Sequence, residues 1–155
     1  MTPAITLARE MKIPHTVHEY EHDPDSDSYG MEAAEKLGLP PERVFKTLVV
    51  SLDSGELVVA VLPVSEMLSL KRIAKAAGAK KAVMAPAKDV QRSTGYVLGG
   101  VSPLGQRRSL RTVIDSSAQD HPTIHVSAGR RGLEIELAAA DLRESLGAIY
   151  AGIRQ

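Results

Sequence analysis

Two apolar segments in close succession constrain the fold of this chain more than any other feature. Residues 44–51 read VFKTLVVS and residues 57–62 read LVVAVL, and both are rich in the β-branched and aliphatic side chains that favour strands. The residues between them, Asp53-Ser54-Gly55, are typical of a hairpin turn. Apolar side chains fall on both faces of the first segment, so we expect a strand there that is covered on both sides.

Shorter helical and strand patterns occupy the rest of the chain. Thr2 is predicted to cap a first helix with Pro3 at its first position, and this helix ends before Pro14. Further helices are predicted over 31–38, 68–77, 86–93 and 139–146. Further strands are predicted over 15–21, 82–84, 110–115, 123–126 and 133–137, and loops over 22–30 and 95–106. Many short strands with few βαβ units indicate an α+β fold, and interior glycines allow a sheet to curl as in a small barrel.

Composition narrows the class of protein. The 155 residues suit one domain, and no linker, repeat or low-complexity segment divides residues 1–155. The chain has no cysteine, which excludes a disulfide framework and an enzyme-supplied thiol nucleophile. With one phenylalanine, four tyrosines and no tryptophan, its core is predicted to be aliphatic. Neither a signal segment nor a membrane span is recognisable, so we expect a cytoplasmic protein with no membrane partner.

Charged side chains are segregated along the chain, although the formal net charge is zero. Residues 1–70 hold 5 basic and 12 acidic side chains, whereas residues 71–131 hold 12 basic and 3 acidic, a net of +9. Such a segment indicates a basic surface that meets a polyanion; the alternative is a solvated surface without a partner. The candidate contacts on its first predicted helix are Lys71, Arg72 and Lys75.

Lys46 is the most informative single residue, because it falls within the strand expected to be covered on both sides. A buried ammonium is costly unless it is paired or binds an anion. One interpretation is a lysine aimed into a pocket, where it holds a phosphate or a carbonyl oxygen. The alternative is a lysine near the strand end whose ammonium extends to water.

Two further segments combine small residues with polar groups. Residues 95–106, GYVLGGVSPLGQ, contain four glycines, whose N–H groups can approach a ligand closely and stabilise an oxyanion. Residues 126–133, VSAGRRGL, place the hydroxyl of Ser127 beside Arg130 and Arg131, a combination that suits ribose or phosphate. The alternatives are a set of tight turns for the first segment and a basic hairpin turn for the second.

The histidines allow two other sites, neither of which we adopt. His15, His18 and His22 cluster in sequence, and with Asp23 or Asp25 they match the residue types of a zinc site. Ser127 with His121 or His125 and with Asp115 or Asp120 matches the residue types of a catalytic triad. No nucleophile-elbow sequence accompanies that serine. We therefore predict no metal site and no cofactor.

Taken together, these segments resemble the YbaK-type Cys-tRNA(Pro) deacylases, relatives of the editing domain inserted in bacterial prolyl-tRNA synthetases. The resemblance covers essentially all 155 residues. It rests on the opening MTPAI, on HEYEHDP with Tyr20, and on EKLGL. It also rests on FKTLVV, RSTGYVLGGVSPLGQ and a Val-Ser-x-Gly-x-Arg-Gly-Leu stretch, in this order and spacing.

The resemblance implies an α+β fold, a mixed barrel-like β-sheet with flanking α-helices. It implies that Lys46 is the residue most needed for activity and anchors the tRNA 3′ end. Glu134 stands where an aspartate is usual, Tyr29 where phenylalanine is common, and Ala128 where glycine is common. The residues implied to line the pocket around the aminoacyl group and terminal adenosine are Tyr20, Tyr29, Thr47, Gly99, Gly100, Ser127 and Glu134.

The activity that the resemblance implies is trans-editing of Cys-tRNA(Pro), and also of Cys-tRNA(Cys). The substrate's own thiol would attack its carbonyl and leave as a thiolactone, with N–H groups near Gly99 and Gly100 stabilising the oxyanion. The implied partners are prolyl-tRNA synthetase and aminoacyl-tRNA. Two alternatives stay open: an Ala-tRNA(Pro) deacylase, and a tRNA- or synthetase-binding module without catalysis. The candidate tRNA contacts are Lys71, Arg72, Lys75, Arg130 and Arg131.

Overall fold

A computed structural model describes residues 1–26 and 28–155. Of the predicted loop over 22–30, only Asp27 lies outside the described residues. The helices are α1 (Pro3–Glu10), α2 (Tyr29–Leu37), α3 (Leu70–Ala76), α4 (Ala87–Thr94) and α5 (Ala139–Leu146). The strands are β1 (His15–Glu19), β2 (Phe45–Leu52), β3 (Leu57–Pro63), β4 (Ala82–Met84), β5 (Arg111–Asp115), β6 (Ile124–Arg130), β7 (Leu133–Leu137) and β8 (Ile149–Ala151).

The strands form two sheets. One has three antiparallel strands in the order β1-β7-β6, and the other has five strands in the order β4-β2-β3-β5-β8, of which β3, β5 and β8 run parallel. The α+β class is therefore confirmed. The barrel does not close in the described part of the chain, because the strands form two separate sheets and the edge strands β4 and β8 pair with no further strand.

The predicted hairpin is confirmed, and its first strand is covered on both faces. Phe45 and Val49 of β2 pack into a core between the two sheets, together with residues of α1, α4 and α5. Leu48 and Val50, on the opposite face, pack into a second core with Ile73 of α3. Both cores consist almost entirely of aliphatic side chains, as the composition predicts.

Helix ends follow the predicted signals more closely than strand ends do. The Thr2 hydroxyl accepts a hydrogen bond from the N–H of Ile5, and Gly38 ends α2 at a φ of +67°. In contrast, β6 extends four residues past the predicted end at Val126, and β8 has no counterpart in the prediction. None of the helices in the described residues has the length and apolar character that crossing a bilayer requires.

Candidate active site

A cavity of about 310 Å³ opens where β2 meets the β6–β7 hairpin. The two sheets join there through a parallel bridge between Val44 and His125. Helix α2 and the glycine-rich segment 95–106 complete its walls. The predicted site residues that line it are Tyr20, Tyr29, Lys46, Thr47, Gly99, Ser127, Arg130, Arg131 and Glu134.

Four predicted residues lie elsewhere. Lys71, Arg72 and Lys75 are exposed on α3 and do not line the cavity. Gly100 is buried beside it, packed on the backbone of Arg130. A wider cavity of about 560 Å³ next to α1 contains none of the predicted residues.

Lys46 is half-buried at the start of β2 and lines the cavity. Burial lowers the pKa of Lys46, and the nearby carboxylate of Glu66 partly offsets that effect. No ion pair joins this ammonium to a carboxylate within residues 1–26 and 28–155. Next to it, the buried hydroxyl of Thr47 has no hydrogen-bond partner in the same residues. Lys46 is thus available to a ligand at one wall of the cavity, whereas the Thr47 hydroxyl, on the opposite face of β2, is shielded.

Glu134 supplies a buried acid on the opposite wall. It lies on β7 directly across from His18 of β1 and Ser127 of β6, and its residue exposure is only 6%. Burial raises the pKa of Glu134 to about 8, so the carboxyl group is neutral at pH 7. A neutral carboxyl group can donate a hydrogen bond, which a carboxylate cannot do.

This pKa has a measurable consequence for stability. A carboxyl group that is neutral in the folded chain and ionised in the unfolded chain favours unfolding as the pH rises from 4.5 towards 8. Glutamine is neutral at every pH, so we expect Glu134→Gln to gain stability over wild type across this range. The difference in the free energy of unfolding between the two proteins can grow by up to about 1.4 kcal/mol per pH unit. Urea unfolding of both proteins at a series of pH values measures it, and a difference that does not change with pH would contradict the assignment.

The β6–β7 hairpin reaches the cavity through a β-bulge between Ser127 and Arg130. Gly129 adopts a φ of +113° within it, whereas Ala128 has an ordinary negative φ. Alanine in place of the usual glycine is therefore accommodated at position 128. The Ser127 hydroxyl accepts a hydrogen bond from the N–H of Gly129 at 3.1 Å, and no histidine of the described residues bonds to it. A serine triad is not formed.

The two adjacent glycines of the predicted oxyanion site differ in their availability. The N–H of Gly100 donates to the carbonyl of Val97 at 3.0 Å, so it is already engaged in a turn, and this corrects the expectation that both donors are free. The N–H of Gly99 bonds to no acceptor among the described residues. Gly99 has a φ of +90°, which favours glycine, and faces the cavity. Of the two, Gly99 is the candidate donor to an oxyanion.

Sequence reasoning missed a polar network at the mouth of the cavity. The guanidinium carbon of Arg131 lies 3.5 Å from the ring centre of Tyr29, and Arg131 Nη1 lies 3.5 Å from His22 Nε2. His22 Nδ1 in turn lies 2.7 Å from the buried carboxylate of Glu32. A sequence signal for Glu32 existed, because it lies three residues after Tyr29 and therefore on the same face of α2.

The three clustered histidines have three different partners, so they do not form the zinc site that the sequence allowed. His15 Nδ1 contacts the carbonyl of Ile13, His22 pairs with Glu32, and His18 pairs with Glu136. His18, His125 and Glu136 do lie close together, with one potential ligand atom from each within 4.8 Å of the others. However, Glu136 already accepts a hydrogen bond from Thr123 at 2.6 Å and lies 3.8 Å from Arg43. His18, Glu136 and Thr123 thus form a hydrogen-bond network on the β1–β7–β6 sheet, whereas the buried Nδ1 of His125 has no hydrogen-bond partner among the described residues.

Known proteins match this chain along most of its length. The sequence profile of the aminoacyl-tRNA editing domain matches residues 23–145, and the chain belongs to this family. EbsC of Enterococcus faecalis, which is named as a candidate Cys-tRNA(Pro)/Cys-tRNA(Cys) deacylase, is 41% identical over 137 residues, 88% of this chain and 83% of EbsC. The predicted family resemblance is thereby confirmed.

Two further proteins that match this chain have names that refer to prolyl-tRNA synthetase. The proline–tRNA ligase of Trichlorobacter lovleyi is 32% identical over 98 residues, which are 63% of this chain and 17% of the ligase. The crystal structure of a candidate trans-editing enzyme for prolyl-tRNA synthetase matches with a TM-score of 0.80, covering 91% of this chain and 87% of that one. At 23% identity, this structural likeness supports the fold alone.

Proposed function

We propose that residues 1–155 form a single trans-editing domain that removes cysteine from Cys-tRNA(Pro), and also from Cys-tRNA(Cys). The observation that carries this proposal is one small cavity that brings together Lys46, Gly99 and the buried acid Glu134. The name of the 41% identical relative points to the same activity. The experiment that tests it is deacylation of Cys-, Ala-, Ser- and Pro-charged tRNA by the purified protein, with cysteine expected to be released fastest.

The absence of cysteine from the chain favours a reaction in which the substrate supplies the nucleophile. The cysteine thiol attacks its own carbonyl carbon, and a carbon–sulfur bond forms. The ester carbon–oxygen bond then breaks, and the ribose oxygen leaves with the thiol proton. The products are a four-membered cyclic thiolactone, which water later opens to cysteine, and uncharged tRNA. The protein's main contribution is to hold thiol and carbonyl in attack geometry.

Each cavity residue has a defined role in this scheme. The N–H of Gly99 stabilises the negative charge that develops on the carbonyl oxygen, an effect worth about 3–4 kcal/mol per donor. The neutral carboxyl group of Glu134 donates a second hydrogen bond to the substrate in the same cavity. Lys46 holds the 3′ end of the tRNA by its positive charge. Tyr20, Thr47 and Ser127 line the walls around the aminoacyl group.

The basic helix α3 is suited to the tRNA acceptor stem. Along β2, side chains alternate between faces, so Lys46 shares a face with Leu48 and Val50, against which α3 packs. The exposed Lys71, Arg72 and Lys75 therefore lie on the same side of the sheet as the Lys46 side chain. A tRNA whose 3′ end enters the cavity can reach this helix with its phosphates. Docking of the domain on prolyl-tRNA synthetase is compatible with this arrangement and belongs to the same proposal.

Charge reversal tests the role of α3. Replacing Lys71, Arg72 and Lys75 by glutamate should raise KM by roughly tenfold or more and leave kcat nearly unchanged, because phosphate contacts contribute binding rather than chemistry. The dependence of KM on salt should become shallower in this variant. Arg9→Glu, at an exposed position on α1, is the control and should keep the wild-type KM. An unchanged KM in the α3 variant would place the acceptor stem elsewhere.

A further inference from the structure

Arg131 lines the cavity and makes two contacts through its guanidinium group. Its guanidinium group stacks on Tyr29 at 3.5 Å, and its Nη1 lies 3.5 Å from His22 Nε2. Stacking on an aromatic face fixes the plane of a guanidinium group and leaves its edges free to donate. No carboxylate of residues 1–26 and 28–155 lies within ion-pair distance of Arg131. A positive charge is thus fixed beside the cavity.

The second contact is set by a buried acid. Glu32 is 5% exposed, and its carboxylate bonds His22 Nδ1 at 2.7 Å and the N–H of Asp23 at 2.9 Å. Although burial opposes the charge, these hydrogen bonds lower the pKa of Glu32. A carboxylate only accepts, so His22 Nδ1 donates to Glu32, and this bond turns the other ring nitrogen, Nε2, towards Arg131 Nη1. Glu32 and His22 therefore act as positioning residues for the guanidinium group.

Gly99 completes the arrangement by leaving space. A Cβ atom at position 99 would lie 2.6 Å from Arg131 Nε and 2.8 Å from the Tyr29 ring. The stacked pair and the glycine-rich segment therefore fit together only if residue 99 has no side chain. As a result, the guanidinium group is adjacent to the candidate oxyanion donor, and both belong to the same cavity.

We propose that Arg131, stacked on Tyr29 and oriented by His22 and Glu32, forms a binding subsite for the phosphate of the nucleotide that carries the aminoacyl group. This inference rests on the proposed function, in which the terminal adenosine enters the cavity. The phosphate of that adenosine is the anion nearest to the ester. A fixed guanidinium edge matches two phosphate oxygens, whereas a lysine offers only a point charge. Correct placement of this phosphate sets the distance between the ester and Gly99.

Binding of AMP and of adenosine isolates this subsite, because the two ligands differ only by the phosphate. NMR titration of the wild-type protein should give a Kd for AMP about 10-fold below that for adenosine. Arg131→Ala should bring the ratio of the two Kd values close to one, mainly by weakening the binding of AMP. Arg143→Ala is the matched control, since Arg143 also lies over a tyrosine, Tyr150, at 5.6 Å but away from the cavity. Its ratio should equal that of wild type. Arg131→Gln provides the same comparison should the alanine variant not fold.

A double-mutant cycle tests the positioning role. His22→Ala should reduce the AMP-to-adenosine ratio by about threefold, and the same change made in Arg131→Ala should have no additional effect. A wild-type protein that binds the two ligands equally would overturn the subsite. So would a ratio that survives in Arg131→Ala but disappears in Lys46→Met, because the phosphate would then belong to Lys46. These measurements involve no deacylation, so they can fail or succeed independently of the proposed activity.

Discussion

Replacing Lys46 by alanine is expected to reduce the rate of Cys-tRNA deacylation by roughly 10²–10³-fold, the loss typical of a removed electrostatic contact in an active site. The fold should remain intact. Burial already disfavours the charge of this half-buried lysine, and no ion pair in the described residues depends on it. The measurements are single-turnover deacylation and circular dichroism on the same preparation.

Two conservative variants separate the charge of Lys46 from its packing. Lys46→Met keeps the apolar stem along β2 but loses the ammonium, and it should be as inactive as the alanine variant. Lys46→Arg keeps a positive charge in a bulkier planar group, and it should also fail if the site requires a compact point charge. A folded Lys46→Met protein with wild-type turnover would refute the anchoring role.

Blocking the substrate thiol is expected to stop the reaction almost completely. tRNA charged with S-methylcysteine lacks the nucleophile, so its deacylation should fall to the rate without enzyme. The first product from ordinary Cys-tRNA should be the cyclic thiolactone, seen by rapid quench and mass spectrometry before it opens. Pocket size cannot explain why alanine is spared, because a cavity that admits cysteine also admits alanine. One small group changes the binding free energy by only about 1–3 kcal/mol.

Homocysteine provides the size-matched control for this experiment. It has as many side-chain heavy atoms as S-methylcysteine but keeps a free thiol, so it should still be released. If S-methylcysteine is removed as fast as cysteine, the thiol is not the nucleophile. Oxygen from labelled water incorporated directly into the first product would show the same thing, and water would then be the attacking group.

Much of this fold was predictable because its strongest signals are local. The hairpin of β2 and β3 follows from two apolar runs and one turn, and the cap of α1 follows from Thr2 and Pro3. The strand β8 was not predictable, because three residues carry no periodicity and its pairing with β5 is parallel and distant in sequence. The extent of β6 depends on a bulge that only its pairing with β7 reveals.

The candidate site also contains some residues that the sequence could predict and others that it could not. Lys46 and Gly99 could be singled out because a lysine in an apolar strand and a cluster of glycines are unusual within a few residues. The Glu32–His22–Arg131 network joins three separate segments, so its partners could not be paired from spacing. The engagement of the Gly100 N–H depends on the turn that the backbone takes at Val97. Composition and spacing contain no information on that turn.

In the proposed function, this cavity removes cysteine and spares amino acids without a thiol. The most direct measurement is a competition in which Cys-tRNA(Pro) and Ala-tRNA(Pro), each with its own label, are mixed with the purified wild-type protein in one reaction. We expect rapid loss of cysteine, while alanine is lost no faster than in a sample without protein. Brisk release of alanine, or loss of cysteine at only the protein-free rate, would contradict it.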